Sequence, residues 1–419
     1  MIASIRSCLY LVVLLVIVFL TSPSESYECF DPKNPFEPSN LKECSSESDA
    51  YSKLFYGSQF RNWNHNNTNA TDSNAFELSF VCDPTMSAQT CQKAQNSFVT
   101  AGALLSKIFK FPQKITVAAE FADLCKTLGG CDSTGTIIGA AGPSRFFSMT
   151  GEDGAIRLYP QALTKLANPT GPVPFDTHDI IASFNSKLAP HFFFPGDKNI
   201  QPDQIDFVSV IAHEFLHGLG FLSSWSPALL PTSDVVIPFV IPNGSQVRIR
   251  ETNFDQFVIK TADGKKLTDY TAALSKAIDG QTITSDAALV ASIKKVATDI
   301  SLTTTTDYVT PKAIGFLPRG KTNIKDAVLL ETSLKPYSIG STGSHVDDAT
   351  YARSQDWLMT YVDTPGKTYQ QMDKDSGAAP DAIVGPGTKA IMESIGFPTA
   401  DNPNPFVPTI VNESPVLNN

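Results

Sequence analysis

The chain has 419 residues, 42% of them hydrophobic and 18% charged, and a formal net charge of −10. That balance is globular and long enough for two or more hydrophobic cores, while the acidic excess argues against nucleic acid or an anionic membrane as a partner. Arg6, an apolar run over 8–20 and small residues at Ser24 and Ser26 predict a signal peptide over 1–26, hence a secreted, extracellular protein. The run is short for a membrane span. Residues 401–419 read as a flexible Pro/Asn-rich tail rather than a GPI signal, so no membrane anchor is expected.

Residues 27–74 are polar and irregular, an N-terminal extension or propeptide. Beyond the signal segment lie Cys29, Cys44, Cys82, Cys91, Cys125 and Cys131. An even number in a secreted chain predicts three disulfides; 15 pairings are possible, and sequence neighbours (29–44, 82–91, 125–131) are the simplest. Asn66, Asn69, Asn243 and Asn412 head glycosylation sequons. Period-two alternation predicts a strand over 76–81, followed by a helix over 92–109 and a buried strand over 115–121, an order that fits a right-handed crossover in a mostly parallel sheet. Residues 180–184 read as a further strand, and 191–196 as a short antiparallel edge strand above a cleft, with His191 at the cleft edge.

The densest chemistry is His213-Glu214-Phe215-Leu216-His217-Gly218-Leu219-Gly220. Residues four apart share a helix face, so His213 and His217 can offer two imidazole nitrogens to one tetrahedral Zn²⁺, with Glu214 placed to take a proton from a metal-bound water. Phe207, Ile211, Phe215 and Leu219 supply the apolar stripe that docks such a helix, Asp206 stands at the N-cap position and Gly220 at the C-terminal stop.

After the helix, 222–344 carries its own patterning. Residues 235–241 and 246–250 flank Asn243-Gly244 as a hairpin signal, 254–261 and 265–267 flank Asp263-Gly264 likewise, and helices are predicted over 271–278 and 286–300. This module reads as one wall of the cleft. A third zinc ligand is still needed, and the position where the simplest pattern places a histidine holds Ser223. His65, His178, His191 and His345 are the remaining histidines; Glu251 and Glu331 are carboxylate alternatives. His345 closes Gly340-Ser341-Thr342-Gly343-Ser344-His345 and precedes Gln355-Asp356-Trp357-Leu358-Met359-Thr360-Tyr361.

The two stretches HEFLHGLGF and GSTGSH…QDWLM resemble the leishmanolysin family of metzincins, over roughly residues 75–398. The resemblance implies one catalytic Zn²⁺ held by His213, His217 and His345, with Glu214 as general base and Met359 as the Met-turn residue. Met359-Thr360-Tyr361 is similar to the spacing at which the astacin and serralysin branches place a tyrosine that stabilises the oxyanion, a role implied for Tyr361. The implied fold is α+β: a twisted, mostly parallel sheet with an antiparallel edge strand, two long helices, a catalytic subdomain over 75–221, the insertion at 222–344 and a C-terminal subdomain over 345–400 closed by a helix at 389–395. The implied activity is that of a secreted zinc endopeptidase, attacking extended peptide substrates with zinc-bound water assisted by Glu214. Because imidazoles bind metal only when neutral, zinc affinity is expected to fall below about pH 6. Two other readings are a gluzincin-type hydrolase with Glu251 or Glu331 as third ligand, and a non-catalytic secreted protein keeping zinc as a staple.

Overall fold

The computed structural model describes residues 26–37, 39–44, 53–54, 75–128, 137–169, 172–227, 235–243, 245–282, 284–410 and 412–413. Residues 1–25 of the predicted signal peptide, His65, Asn66, Asn69 and Cys131 fall outside them, whereas Asn243 and Asn412 fall in short strands.

Strand β1 (Phe76–Cys82) leads into helix α1 (Ala88–Ile108), which starts earlier than its apolar pattern because the Ser87 side chain caps it, accepting from the Thr90 N–H. Ala94, Phe98, Ala101 and Leu105 bury its inner face. Strands β2 (Ile115–Ala122), β3 (Gly139–Pro143) and β4 (Ile180–Asn185) complete a four-stranded sheet in the order β1-β2-β4-β3. The first three strands are parallel, and β3 runs antiparallel beside β4 at the edge. The architecture is mixed α and β, as expected.

The antiparallel edge is not where the sequence reading places it. Residues 186–191 form a 3₁₀ turn, and Phe192–Phe193 pairs in parallel with Ile205–Asp206. The reason is packing: Phe192 and Phe194 are buried against Phe207, with ring centroids 4.4 and 5.4 Å away, so the run FFF serves the core and not a free edge. His191 stands exposed, beside Asp203. The true edge, Gly-Ala-Ala-Gly-Pro, lacks every residue type that marks a strand.

Helix α2 (Phe207–Gly218) lies against this sheet and α1. Asp206 caps it, its carboxylate accepting from Val208 N and Ser209 N. Phe207 and Phe215 both meet Phe98 of α1. Two glycines set its end. A Cβ on Gly218 would lie 2.5 Å from Ile180 of β4, so glycine lets the helix rest directly on the strand. Gly220, at φ +109°, reverses the chain: Gly220 N donates to His217 O and Phe221 N to Leu216 O, the paired bonds of a Schellman stop.

The N-terminal residues are built into the molecule. Cys29–Pro32 pairs antiparallel with both Leu41–Glu43 and Phe146–Thr150, and Asp31 receives a buried two-pronged contact from Arg145, joined by buried Lys53. Disulfides join Cys29 to Cys44 and Cys82 to Cys91, the predicted pairs; Cys125 is disulfide-bonded too.

Within the insertion, Phe239–Asn243 and Gln246–Arg250 form the expected hairpin, closed by the pair Asn243 and Gln246. Val236–Ile237 separates from it to pair with Ser226–Pro227. The second predicted hairpin is reduced to one bridge, Ile259 with Lys266. Val258–Lys260 instead pairs with Ile314–Phe316, because Val258 and Phe316 are both fully buried and that pairing places them together. Helices Leu267–Ile278 and Asp286–Asp299 follow the prediction. The closing helix α3 spans Pro386–Ile395, stopping at Gly396. One apolar core runs through all these parts, from Cys29 to Phe397.

Candidate metal centre

Helical spacing brings His213 and His217 to one side of α2, and the chain returns His345 to them. His213 Nε2 lies 3.0 Å from His345 Nε2 and 3.1 Å from His217 Nε2, and His217 Nε2 is 3.2 Å from His345 Nε2. The other nitrogen of each ring faces a main-chain carbonyl: His213 Nδ1 to Leu358 O at 2.6 Å, His217 Nδ1 to Phe221 O at 2.7 Å, His345 Nδ1 to Ser341 O at 3.0 Å. A carbonyl oxygen only accepts, so each Nδ1 carries the proton and each Nε2 a lone pair.

Three lone pairs therefore converge with no proton between them, a repulsive arrangement unless a cation sits there. Protonation is a poor remedy. Burial pushes His213 down to about 4, and burial with His213 as neighbour pushes His217 down to about 3; His345 is held well below its ordinary range by burial and by the other two rings. Two nitrogens about 2.0–2.1 Å from one tetrahedral zinc stand roughly 3.3–3.4 Å apart, close to the triangle found here. The donor set, its tautomers and its spacing all fit a divalent metal.

The third histidine reaches this place because the two ends of the insertion are tied together. Ser223 N donates to Ser344 Oγ at 3.1 Å. Ser223, where a simpler pattern would carry the ligand, gives its hydroxyl to the buried Asp255 carboxylate, which also receives Ser224 N and Oγ and Thr252 N and Oγ1. Glu331 holds the far side, its N–H donating to His345 O and its carboxylate accepting from Asp348 N. Nothing in spacing or periodicity marks Asp255; its partners meet only after folding.

Met359 is fully buried in the 3₁₀ turn Trp357–Met359. The turn is tied to both histidine segments, since Leu358 O holds the His213 ring and Met359 O accepts from Val346 N, next to His345. Asp356 anchors the same turn to the start of α3, accepting from Gly387 N and Thr388 N. Glu251 and Glu331 take no part in the cluster: Glu251 is engaged by Arg157, Thr268 and Thr271, Glu331 as just described. His178 lies just before β4 and is bonded to Ser79 of β1.

Glu214 Oε2 accepts from Ala141 N of β3 at 2.8 Å. Burial pushes its carboxyl up to about 8, the Ala141 N–H opposing and Asp363 adding to the rise. A neighbouring cation lowers such a value. The three histidines and Glu214 open into a cavity of about 440 Å³. Its walls are the edge strand on one side, Ile339–Ser341 from the end of the insertion on the other, and Tyr361 and Asp363 after the Met359 turn. Pro35 and Phe36 of the N-terminal hairpin complete the lining, a contribution no sequence signal announced. Tyr361 is 37% exposed at this wall and makes no side-chain hydrogen bond among the described residues.

Comparison with known proteins gives the chain a family. An uncharacterized protein of Schizosaccharomyces pombe, PB7E8.01, is 25% identical over 362 residues, 78% of this chain; the chain spans 63% of that relative's length. No solved structure matches the chain. A family described as SPBPB7E8-like matches residues 29–416, nearly the whole length, and the chain belongs to that family.

Proposed function

We propose that the protein is a secreted zinc endopeptidase of the metzincin type, similar to leishmanolysin. The observation that carries the reading is the convergence of three Nε2 lone pairs on one point beside the half-buried Glu214 carboxylate in the wall of an open cavity. The Gly220 stop, the late histidine, the Met359 turn and the antiparallel edge strand support the metzincin likeness. Paired cysteines support an oxidising, extracellular setting.

His213, His217 and His345 would hold the metal, and the carbonyls of Leu358, Phe221 and Ser341 fix the tautomers it needs. Bound zinc supplies a Lewis acid and an acidified water at neutral pH. Glu214 moves the proton. With Oε2 held by Ala141 N–H, Oε1 is left to take a proton from the attacking water and return it to the leaving nitrogen.

Strand β3 orients the substrate. Asn185 N donates to Ile138 O and Ser144 N to Asp179 O, so by alternation residues 140 and 142 bond inward to β4, while 139, 141 and 143 turn their main chain to the cleft. Pro143, which has no N–H, falls on the outward set and costs the ladder nothing. With the Ala141 N–H given to Glu214 and none on Pro143, an extended peptide can pair along this side through the Gly139 N–H and the carbonyls of 139, 141 and 143. A structural zinc site gains nothing from a neighbouring carboxylate and an open cavity, and this favours the catalytic reading over the staple.

Glu214→Gln is the test, because glutamine keeps the shape and cannot take the proton. The variant is expected to retain the fold and one zinc per chain and to lose casein or gelatin cleavage by several orders of magnitude. Cleavage at a rate near that of the unmodified chain would sink the proposal.

A further inference from the structure

Asp363 is left without a task by the chemistry above. It lies four residues beyond Met359, partly buried in the cavity wall next to Glu214. Its carboxylate accepts no hydrogen bond and meets no cation among the described residues, and burial alone pushes it up to about 6. None of the described residues lining the cavity is a lysine or arginine. Lys367, on the adjoining side, is engaged with Asp375 at 2.6 Å. A half-buried carboxylate with no partner carries a desolvation cost that a cationic ligand offsets.

The surroundings specify that ligand. Phe36, Ile137 and Tyr361 line the same cavity, the last two among the few large apolar side chains left exposed on the molecule. An apolar wall ending at a carboxylate matches a cation on an aliphatic stem, which lays its methylenes on the wall and its charge at the end. We propose that Asp363 selects peptide substrates carrying an ammonium or guanidinium group in this cavity, a basic side chain or a free amino terminus. This rests on the peptidase reading, and Asp363 is a specificity residue in it, not a catalytic one.

Binding is measured on the full chain carrying Glu214→Gln, with and without Asp363→Asn, so that the test does not depend on turnover. The probes are fluorescent acetylated hexapeptides differing in one lysine, arginine or norleucine, and one norleucine peptide with a free amino terminus. The basic peptides are expected to bind at least tenfold more tightly than acetylated norleucine, with Asp363→Asn bringing that ratio near one. Loss of the lysine and arginine advantage assigns the side chain, loss of the free-terminus advantage assigns the terminus, and either supports the proposal. Equal binding of all four peptides, or a ratio that Asp363→Asn leaves intact, overturns it. A variant that loses zinc while keeping its ratio also overturns it, assigning Asp363 to the metal. Asp363→Glu, which keeps the charge, should restore part of the ratio where Asp363→Asn abolishes it. Should the unmodified chain cleave nothing yet bind basic peptides through Asp363, the peptidase reading fails and the recognition site stands.

Discussion

The three histidines are held in two different ways. His213 and His217 ride on α2, where main-chain hydrogen bonds, an N-cap and a Schellman stop place both residues by local structure, and distant chain adds one contact, from Leu358 O to the His213 ring. His345 sits on irregular chain, and its position depends on buried carboxylates: Asp255 tying Ser223, Ser224 and Thr252 together, and Glu331 bracing the strand-like segment around His345. Regular structure places a ligand through local sequence. Irregular structure needs side chains to replace the missing main-chain bonds, and it leaves the ligand exposed to changes far from it.

Metal content is the strongest way to test this contrast. His345→Ala removes a proposed ligand, and zinc affinity should drop by more than the 10–100-fold that losing an outer-shell partner costs. Metal analysis after dialysis against a weak chelator measures it. Retention of stoichiometric zinc would mean that α2 alone, or another residue, completes the site.

The contrast also explains what could be read in advance. HExxH on an apolar-striped segment, the cap at Asp206 and the stop at Gly220 are local, so α2 and two of the three clustered histidines were legible. His345 was legible only through its Gly/Ser setting before a Leu-Met pair, which is a resemblance and not a derivation. The edge strand was not legible, because Gly139, Ala140, Ala141, Gly142 and Pro143 carry no strand signal and owe their pairing to the free side of β4. The FFF run misled for the opposite reason: strong strand formers were claimed by the core around Phe207. Asp255 and the Asp31–Arg145–Lys53 group could not be found at all, since their partners are scattered in sequence and meet only in the folded chain.

Acidity probes all three rings together. Their folded values, about 4 for His213 and about 3 for His217, lie below the ordinary imidazole range, so the fold favours the neutral form. In the unfolded chain they protonate near 6.5. Their contribution to the stability of the metal-free protein is thus complete above about 6.5 and is lost as pH falls from there towards 4. The folded site, already neutral, should keep zinc well below pH 6, with release centred nearer 4. This revises the earlier expectation of loss below 6, and a release midpoint at or above 6 in a zinc-content titration would contradict it.

Removing the braces tests the irregular half directly. Asp255→Ala leaves the hydroxyls of Ser223 and Ser224 and the main-chain N–H groups of Ser224 and Thr252 buried without this acceptor, while Thr252 Oγ1 keeps Leu222 O. Unsatisfied buried groups cost about 1–3 kcal/mol each, so a loss on the order of 3 kcal/mol or more is expected in chemical denaturation. Zinc affinity should fall with it, because Ser223 and Ser344 lose their fixed separation. A variant as stable as the parent would show that the insertion is held by its apolar core alone.

The smallest effect expected belongs to the regular half, at Gly220. Alanine there must adopt φ near +109°, at a cost of about 1–2 kcal/mol for a left-handed residue. Its Cβ would also lie 2.9 Å from Pro160 Cγ, a contact that a rigid proline ring does not easily give up. Gly154 separates the two causes: it has φ +78° and no atom within 4 Å of an added Cβ, so Gly154→Ala carries the conformational cost alone. Gly220→Ala should therefore destabilise more than Gly154→Ala, and the excess should appear again as weaker zinc binding, because Phe221 O, one residue on, holds the His217 ring. If both variants lose the same stability and both keep the parent's zinc affinity, the stop at Gly220 constrains only the backbone, and the helix places its ligands without it.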